Sequence, residues 1–185
     1  MSIYLLYGEE RYLLETRMKK IKKDFGELVQ GINYIQIDET NAEELISDLE
    51  TPAFGFSKKL IIAKNTDLFK KEKKSASKTA KTAKGEKETK KKKTSVEEKL
   101  PLPEKIANYM QENAEELKET VELVFVEEDV EKNTLYQTIS ELGEVKEFAL
   151  LKLPELIANL KKIANVYQVN LDDGTAKYIV ECVRN

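Results

Sequence analysis

The sequence predicts an α/β protein: a mainly parallel five-stranded sheet flanked by helices, followed by the start of a small helical domain. Three observations carry that prediction. Short apolar runs of strand length recur five times along residues 1–148. Between them, apolar residues return at helical three- and four-residue spacings. From residue 149 onward the helical spacing continues with no further strand. Strand and helix in alternation imply right-handed crossovers and hence a parallel sheet.

Each element has a local justification. Ile3-Tyr4-Leu5-Leu6-Tyr7 is a continuous apolar run closed by Gly8, as expected of a strand covered on both faces. Leu14, Met18, Ile21 and Phe25 form one stripe of a helix, and Gly26 is placed to stop it. Tyr34-Ile35-Gln36-Ile37 is the second strand. Asn41 can cap a helix carrying Leu45, Ile46 and Leu49, and Thr51-Pro52 must end it, because the residue before proline avoids helical geometry. Leu60-Ile61-Ile62-Ala63 is the third strand. Leu102, Ile106, Tyr109 and Met110 give the next helical stripe, and Val121 to Val126 the fourth strand. Leu135, Ile139 and Leu142 mark a helix stopped by Gly143, before a short fifth strand at Val145-Lys146-Glu147-Phe148. Leu153, Leu156, Ile157, Leu160, Ile163 and Tyr167 then line one helix. Leu171-Asp172-Asp173 opens another, with Ala176, Ile179, Val180 and Val183 on one side. The domains expected are residues 1–148 and 149–185. Arg184-Asn185 bring no helix terminator, so a continuation of the chain is expected.

Composition removes many functions. The 185 residues include no His and one Cys, Cys182, so zinc sites, Ser-His-Asp triads, Cys-His dyads and internal disulfides are impossible within the chain. No apolar run approaches the roughly 20 residues that cross a bilayer, and Met1-Ser2-Ile3-Tyr4 lacks a signal-peptide pattern. A cytoplasmic protein is expected.

The net charge of −3 argues against a generally basic nucleic-acid binder, but it hides an uneven distribution. Residues 70–99 hold 13 Lys against five Glu, which leaves the other 155 residues at −11. Between Phe69 and Leu100 the apolar side chains are Ala and Val96, too few to offset the entropy of ordering, so a disordered insert is expected over 70–99. The plainer reading is a solvated loop insertion of the kind protein surfaces tolerate. The alternative is a nucleic-acid accessory function, in which Lys90, Lys91, Lys92 and Lys93 contact phosphates and release counterions. With no aromatic between Phe69 and Tyr109 to stack on bases, such binding would be unspecific and salt-sensitive.

Tyr7-Gly8-Glu9-Glu10-Arg11-Tyr12 stands where a nucleotide-binding α/β protein carries its phosphate loop, yet it has neither paired glycines nor Lys. Glu9 and Glu10 would occupy the positive helix end that a phosphate needs. Gly26 and Gly31 have the spacing of two phosphate-loop glycines, but Ile32-Asn33 stand in place of Lys and Ser/Thr, and a strand follows instead of preceding. No cofactor is expected. Asp38-Glu39, Glu127-Glu128-Asp129 and Asp172-Asp173 also lie at element ends, where Asp38 and Asp129 are the best candidates for magnesium or acid–base chemistry. Turn formation and capping explain them more simply, because no Lys, Ser or Thr is spaced to complete a mechanism. No catalytic residue and no metal site is expected.

Glu50-Thr51-Pro52-Ala53-Phe54-Gly55-Phe56-Ser57-Lys58-Lys59 joins the second helix to the third strand. Two aromatics flank a glycine just after a proline, in a loop that should face solvent. Bending at Pro52 and Gly55 can push Phe54 outward as an anchor for a protein partner. Equally, Phe54 and Phe56 can fold back over the sheet edge. Pattern alone leaves both open.

This segment resembles the delta subunit of bacterial DNA polymerase III, a component of the sliding-clamp loader. So do Tyr4-Leu5-Leu6-Tyr7-Gly8-Glu9-Glu10-Arg11-Tyr12-Leu13, Lys58-Lys59-Leu60-Ile61-Ile62-Ala63-Lys64-Asn65, Val121-Glu122-Leu123-Val124-Phe125 and Gly143-Glu144-Val145-Lys146-Glu147-Phe148, in the expected order. The resemblance covers the chain except the basic insert. It implies a degenerate AAA+ ATPase-like domain without a phosphate loop over 1–148, and the beginning of a lid-type helical domain from about 149. It implies a non-catalytic subunit that binds the sliding clamp (the beta subunit) through a hydrophobic loop and promotes ring opening during DNA replication. The other implied partners are the tau/gamma and delta prime loader subunits in the full-length protein, with DNA reached indirectly and no membrane. The family's pair of exposed hydrophobic residues falls on Ala53 and Phe54, supported by Pro52 and Gly55. Ala53 is smaller than the residue usual there, and Phe56 stands where a polar one is common. The expectation is that Phe56 supplies apolar area that Ala53 lacks.

Overall fold

The computed structural model describes residues 3–70 and 100–184, divided between two compact units, Met1–Phe148 and Ala149–Asn185. Of the Lys-rich stretch, Lys70 is described, and its ammonium pairs with Asp67 at 2.5 Å. Lys90, Lys91, Lys92 and Lys93 lie outside the described residues.

In the first unit β1 (Ile3–Tyr7), β2 (Tyr34–Ile37), β3 (Lys59–Lys64), β4 (Val121–Glu127) and β5 (Glu144–Glu147) form one sheet in the order β2-β3-β4-β1-β5. Every pairing is parallel, with Ile61 opposite Leu123 and Leu5 opposite Phe125. The middle strands are apolar throughout because both their faces are covered. Leu5, Ile61, Leu123 and Phe125 pack with the layer formed by α2 (Leu45–Glu50), α3 (Leu102–Glu112), α4 (Ala114–Thr120) and α5 (Thr134–Leu142). Their alternate neighbours Leu6, Leu60, Ile62 and Val124 pack with Leu14 and Ile21 of α1 (Arg11–Phe25) on the other face. The edge strand β5, Glu-Val-Lys-Glu, is mostly exposed, and its charges suit an unpaired edge.

Two local details depart from the sequence reading and a third refines it. Asn41 does not cap through its side chain. A 3-10 turn at Ala42–Glu44 precedes α2, and Asn41 Oδ1 instead accepts from the Asp38 N–H at 2.8 Å. A short polar side chain takes the nearest backbone partner, here one behind it. Second, Asn113 divides α3 from an unexpected α4, whose buried residue is Leu117. One apolar position cannot reveal a period. Third, Gly143 follows α5 without left-handed backbone, at φ −135. Glycine is needed there because a Cβ would stand 2.4 Å from the Ile3 carbonyl oxygen.

The second unit consists of α6 (Leu153–Val166) and α7 (Asp173–Arg184). The Glu155 carboxylate accepts the Lys152 N–H at 2.9 Å to open α6. Asp172 accepts the Thr175 N–H at 2.9 Å to open α7. Ala176 is buried, whereas the apolar stripe of α6 is half-buried.

Gly143→Ala isolates the close approach between α5 and β1, since it introduces no backbone strain. It is expected to lower stability by about 1–3 kcal/mol, the usual cost of overpacking, in urea unfolding. A loss under about 0.5 kcal/mol, the range of an ordinary surface change, would show that the strand simply moves away.

Candidate functional site

The segment between α2 and β3 is built by two backbone constraints. Thr51 is extended, at φ −74 and ψ 122, as a residue before proline must be, and its N–H closes the helix on the Ser47 carbonyl at 3.1 Å. Beyond Pro52, the Phe56 N–H donates to the Ala53 carbonyl at 3.1 Å, closing a four-residue turn with Gly55 third at φ 80. A positive φ at that position alone is type II geometry, which glycine accepts without strain. Nothing lies within 4 Å of the place a Gly55 Cβ would take, so conformation and not packing calls for glycine.

This turn separates the two aromatics. Phe54 occupies its second position and is 90% exposed. Phe56 folds back, half-buried, and with Ala53 lines a cleft of about 220 Å³ against Leu49, Glu116 and Thr120. Pro52 and Gly55 are exposed on either side of the tip. The outcome falls between the two alternatives: one ring outward, one inward.

The root of the turn is held by a residue that the sequence reading passed over. Lys59, the second of two adjacent lysines, is only 1% exposed. Its ammonium donates to the backbone carbonyl oxygens of Asp48 and Thr51. Those carbonyls belong to the last turn of α2 and its C-cap, the negative end of the helix. Burial pushes the Lys59 pKa down, and the nearby Asp48 carboxylate opposes that shift. Burial in turn raises Asp48. The available signal was a cation heading a run, Lys59 to Ala63, that is otherwise wholly apolar.

At the other end of the sheet, the β1–α1 loop is occupied by the chain itself. The Gly8 N–H donates to the Glu127 carbonyl at 3.2 Å, and the Glu10 N–H to the Phe148 carbonyl at 2.9 Å. The Arg11 N–H donates to the Glu9 carbonyl at 2.9 Å. These are amides of the kind a phosphate loop directs at its ligand. A Gly8 Cβ would stand 2.3 Å from the Phe148 oxygen, so the two segments are in direct backbone contact. Arg11 pairs with Glu128 across the neighbouring cleft.

The acidic candidates are turn builders. Asp38 accepts from the Thr40 hydroxyl at 2.5 Å and the Thr40 N–H at 2.8 Å, and these bonds hold its pKa below the usual carboxylate value. Asp129 accepts the Val130 N–H at 2.9 Å. Among the described residues no three Asp, Glu, Cys or His side chains gather as metal ligands. No helix there is long and apolar enough to cross a membrane. Glu127 is the buried exception, 4% exposed, accepting from the Thr66 N–H at 2.8 Å and hydroxyl at 2.7 Å. Burial raises its pKa, and the Thr66 bonds only partly offset that.

Parallel strands in this order, with helices on both faces, define an α/β domain whose first loop is bonded internally. Within that class the identity is specific. The family model described as DNA polymerase III, delta subunit, matches residues 4–146, and the chain belongs to that family. The chain is similar in structure to the DNA clamp loader delta protein of Bacillus subtilis, with a TM-score of 0.59 and 18% sequence identity, covering 97% of this chain and 48% of that one. It thus spans about half the length of that relative. A DNA polymerase III gamma subunit-related protein from Thermotoga maritima aligns with 96% of this chain and 53% of its own, at 12% identity and a TM-score of 0.40. No curated protein matches.

A raised folded-state pKa means that Glu127 holds a proton in the folded chain where the unfolded chain has released it. Its stabilising contribution is therefore full below the unfolded value of about 4.5 and is lost as pH rises through the folded value. Glu127→Gln, which keeps the acceptor, is expected to gain stability relative to wild type as pH rises from 4 to 7 in urea unfolding. A difference independent of pH would refute the shift.

Proposed function

We propose that this chain acts as a non-catalytic clamp-loader subunit that binds a sliding clamp through Pro52, Ala53, Phe54, Gly55 and Phe56, and so promotes ring opening during DNA replication. The observation that carries the reading is Phe54, a ring 90% exposed on a glycine-shaped turn. Burying such a ring contributes about 1.5–3 kcal/mol, and aromatic anchors commonly dominate protein contacts. Family membership supplies the partner class, the clamp, and in the full-length protein the tau/gamma and delta prime subunits, with DNA contacted indirectly. Residues 149–185 serve as the beginning of a lid-type helical domain, and residues 1–148 as an AAA+-like domain without a nucleotide cofactor.

The mechanism is mechanical. A wedge seated on one clamp subunit opens the ring only if it binds the open-prone state more tightly than the closed one, because equal affinity shifts no equilibrium. Phe56 and Ala53 line one cleft behind the tip, and Phe54 stands outward of it as the exposed anchor.

Phe54→Ala is expected to weaken binding of the organism's sliding clamp by about 2 kcal/mol or more, roughly 30-fold, in calorimetric titration. Its own stability should stay within about 0.5 kcal/mol of wild type, as for an exposed side chain. Unchanged clamp affinity would end the assignment.

A further inference from the structure

The Phe54 turn has little of its own to hold it in place. It contains one internal hydrogen bond, Phe56 N–H to Ala53 carbonyl, and Pro52, Phe54 and Gly55 are exposed. Thr51, the residue before Pro52, is bonded within α2 through its N–H and hydroxyl to the Ser47 carbonyl, and what ties this helix end to the sheet is the Lys59 ammonium, which bonds the Thr51 carbonyl and that of Asp48, one turn back. Lys59 also begins β3, where it stands opposite Val121 of β4. A single buried cation therefore joins the end of the helix, the entry to the turn and the start of the sheet.

We propose that Lys59 is the positioning residue of the Phe54 turn: by holding the Thr51 and Asp48 carbonyls it keeps Phe54 in the outward, partner-ready conformation. The physical reason is the scarcity of alternatives. A buried ammonium needs its acceptors, and leaving it unpaired costs more than any freedom the turn would regain. The acceptors supplied are the carbonyls that a helix C-terminus leaves unsatisfied. Both needs are met together, and only when Thr51 lies where it does. An arginine could meet them in part, whereas a methionine fills similar volume and holds neither carbonyl.

The proposal rests on the clamp-binding reading for its consequence, but not for its first test. The chain contains no Trp, so Phe54→Trp places a single indole, excited selectively over the eight tyrosines, at the tip of the turn. Adding Lys59→Met is expected to enlarge the fast internal component of its time-resolved anisotropy while the chain stays folded, and Lys59→Arg should recover much of the difference. An unchanged internal component in folded Lys59→Met would overturn the proposal without any partner present. In clamp binding, a turn that spends about a tenth of its time in the competent conformation shows roughly tenfold weaker affinity. Lys59→Met is therefore expected to weaken binding about tenfold in the wild-type chain and less than twofold in a Phe54→Ala background. An equal loss in both backgrounds would mean a merely structural lysine, and no loss in the wild-type chain would likewise sink the idea. If Phe54→Ala itself leaves affinity unchanged, it is the clamp-binding reading that fails, and the anisotropy result still decides the role of Lys59. Should Lys59→Met not fold, Lys59→Gln, a shorter neutral donor, is carried through the same measurements.

Discussion

The structure depends on three adjacent strands, β3, β4 and β1, that are buried on both faces. Leu60, Ile61, Ile62 and Ala63 are all interior, as are Leu123 to Val126 and Leu5-Leu6. These strands are parallel to their neighbours, as suits a sheet covered by helices on both faces. All helix-to-strand connections then arrive at one edge of the sheet, and all strand-to-helix connections leave from the other. The Phe54 turn enters β3 and lies at the first edge, while the Gly8 loop leaves β1 at the second. A strand of six residues separates the two by about 20 Å. The Phe54 turn is therefore physically apart from the strand ends where open parallel α/β sheets commonly take ligands.

That separation explains why the second edge can be closed without disturbing the first. Phe148 follows β5 and lends its carbonyl to the Glu10 amide, while the Phe148 N–H donates to the Tyr7 carbonyl at 2.7 Å. Glu127 and Thr66 tie the loop after β3 to the end of β4 in the same way. Asn65 and Asp67, both non-glycine residues at positive φ, sit in that loop and tolerate the left-handed region better than most. The Phe69 ring that follows packs edge-on against Phe125, with centroids 5.4 Å apart. This end of the sheet is internally bonded.

What the sequence disclosed follows from how each signal is encoded. The strands buried on both faces, β1, β3 and β4, are continuous apolar runs, and the alternation of strand with helix carried the parallel sense, so both were legible without a structure. Helices with three or more apolar positions were legible too, but α4 has Leu117 alone and was not. Gly143 does end α5, but its close neighbour Ile3 lies some 140 residues away, a contact no local pattern records. Lys59 was hidden for a related cause: next to Lys58 it looks like solvated charge, and only the fold shows that one lysine points out while the other caps a helix. The choice between Phe54 and Phe56 was undecidable from pattern, since the turn that separates the two rings on either side of Gly55 is closed by a hydrogen bond that no periodicity records.

An exposed phenylalanine is a stored driving force. Phe54 gains almost nothing from folding, and the roughly 1.5–3 kcal/mol its burial can contribute remains available to a partner. That gain is realised in full only if binding does not first have to order the turn, since fixing each backbone residue costs about 1–2 kcal/mol. Four disordered turn residues would consume more than the ring can return. A turn closed by its own hydrogen bond, with glycine where φ is positive and its start fastened by a buried lysine, has already met that cost during folding. The small residue Ala53, which looks like a weakness when the apolar pair is counted, is then consistent with affinity drawn from pre-organisation and a single ring instead of from area.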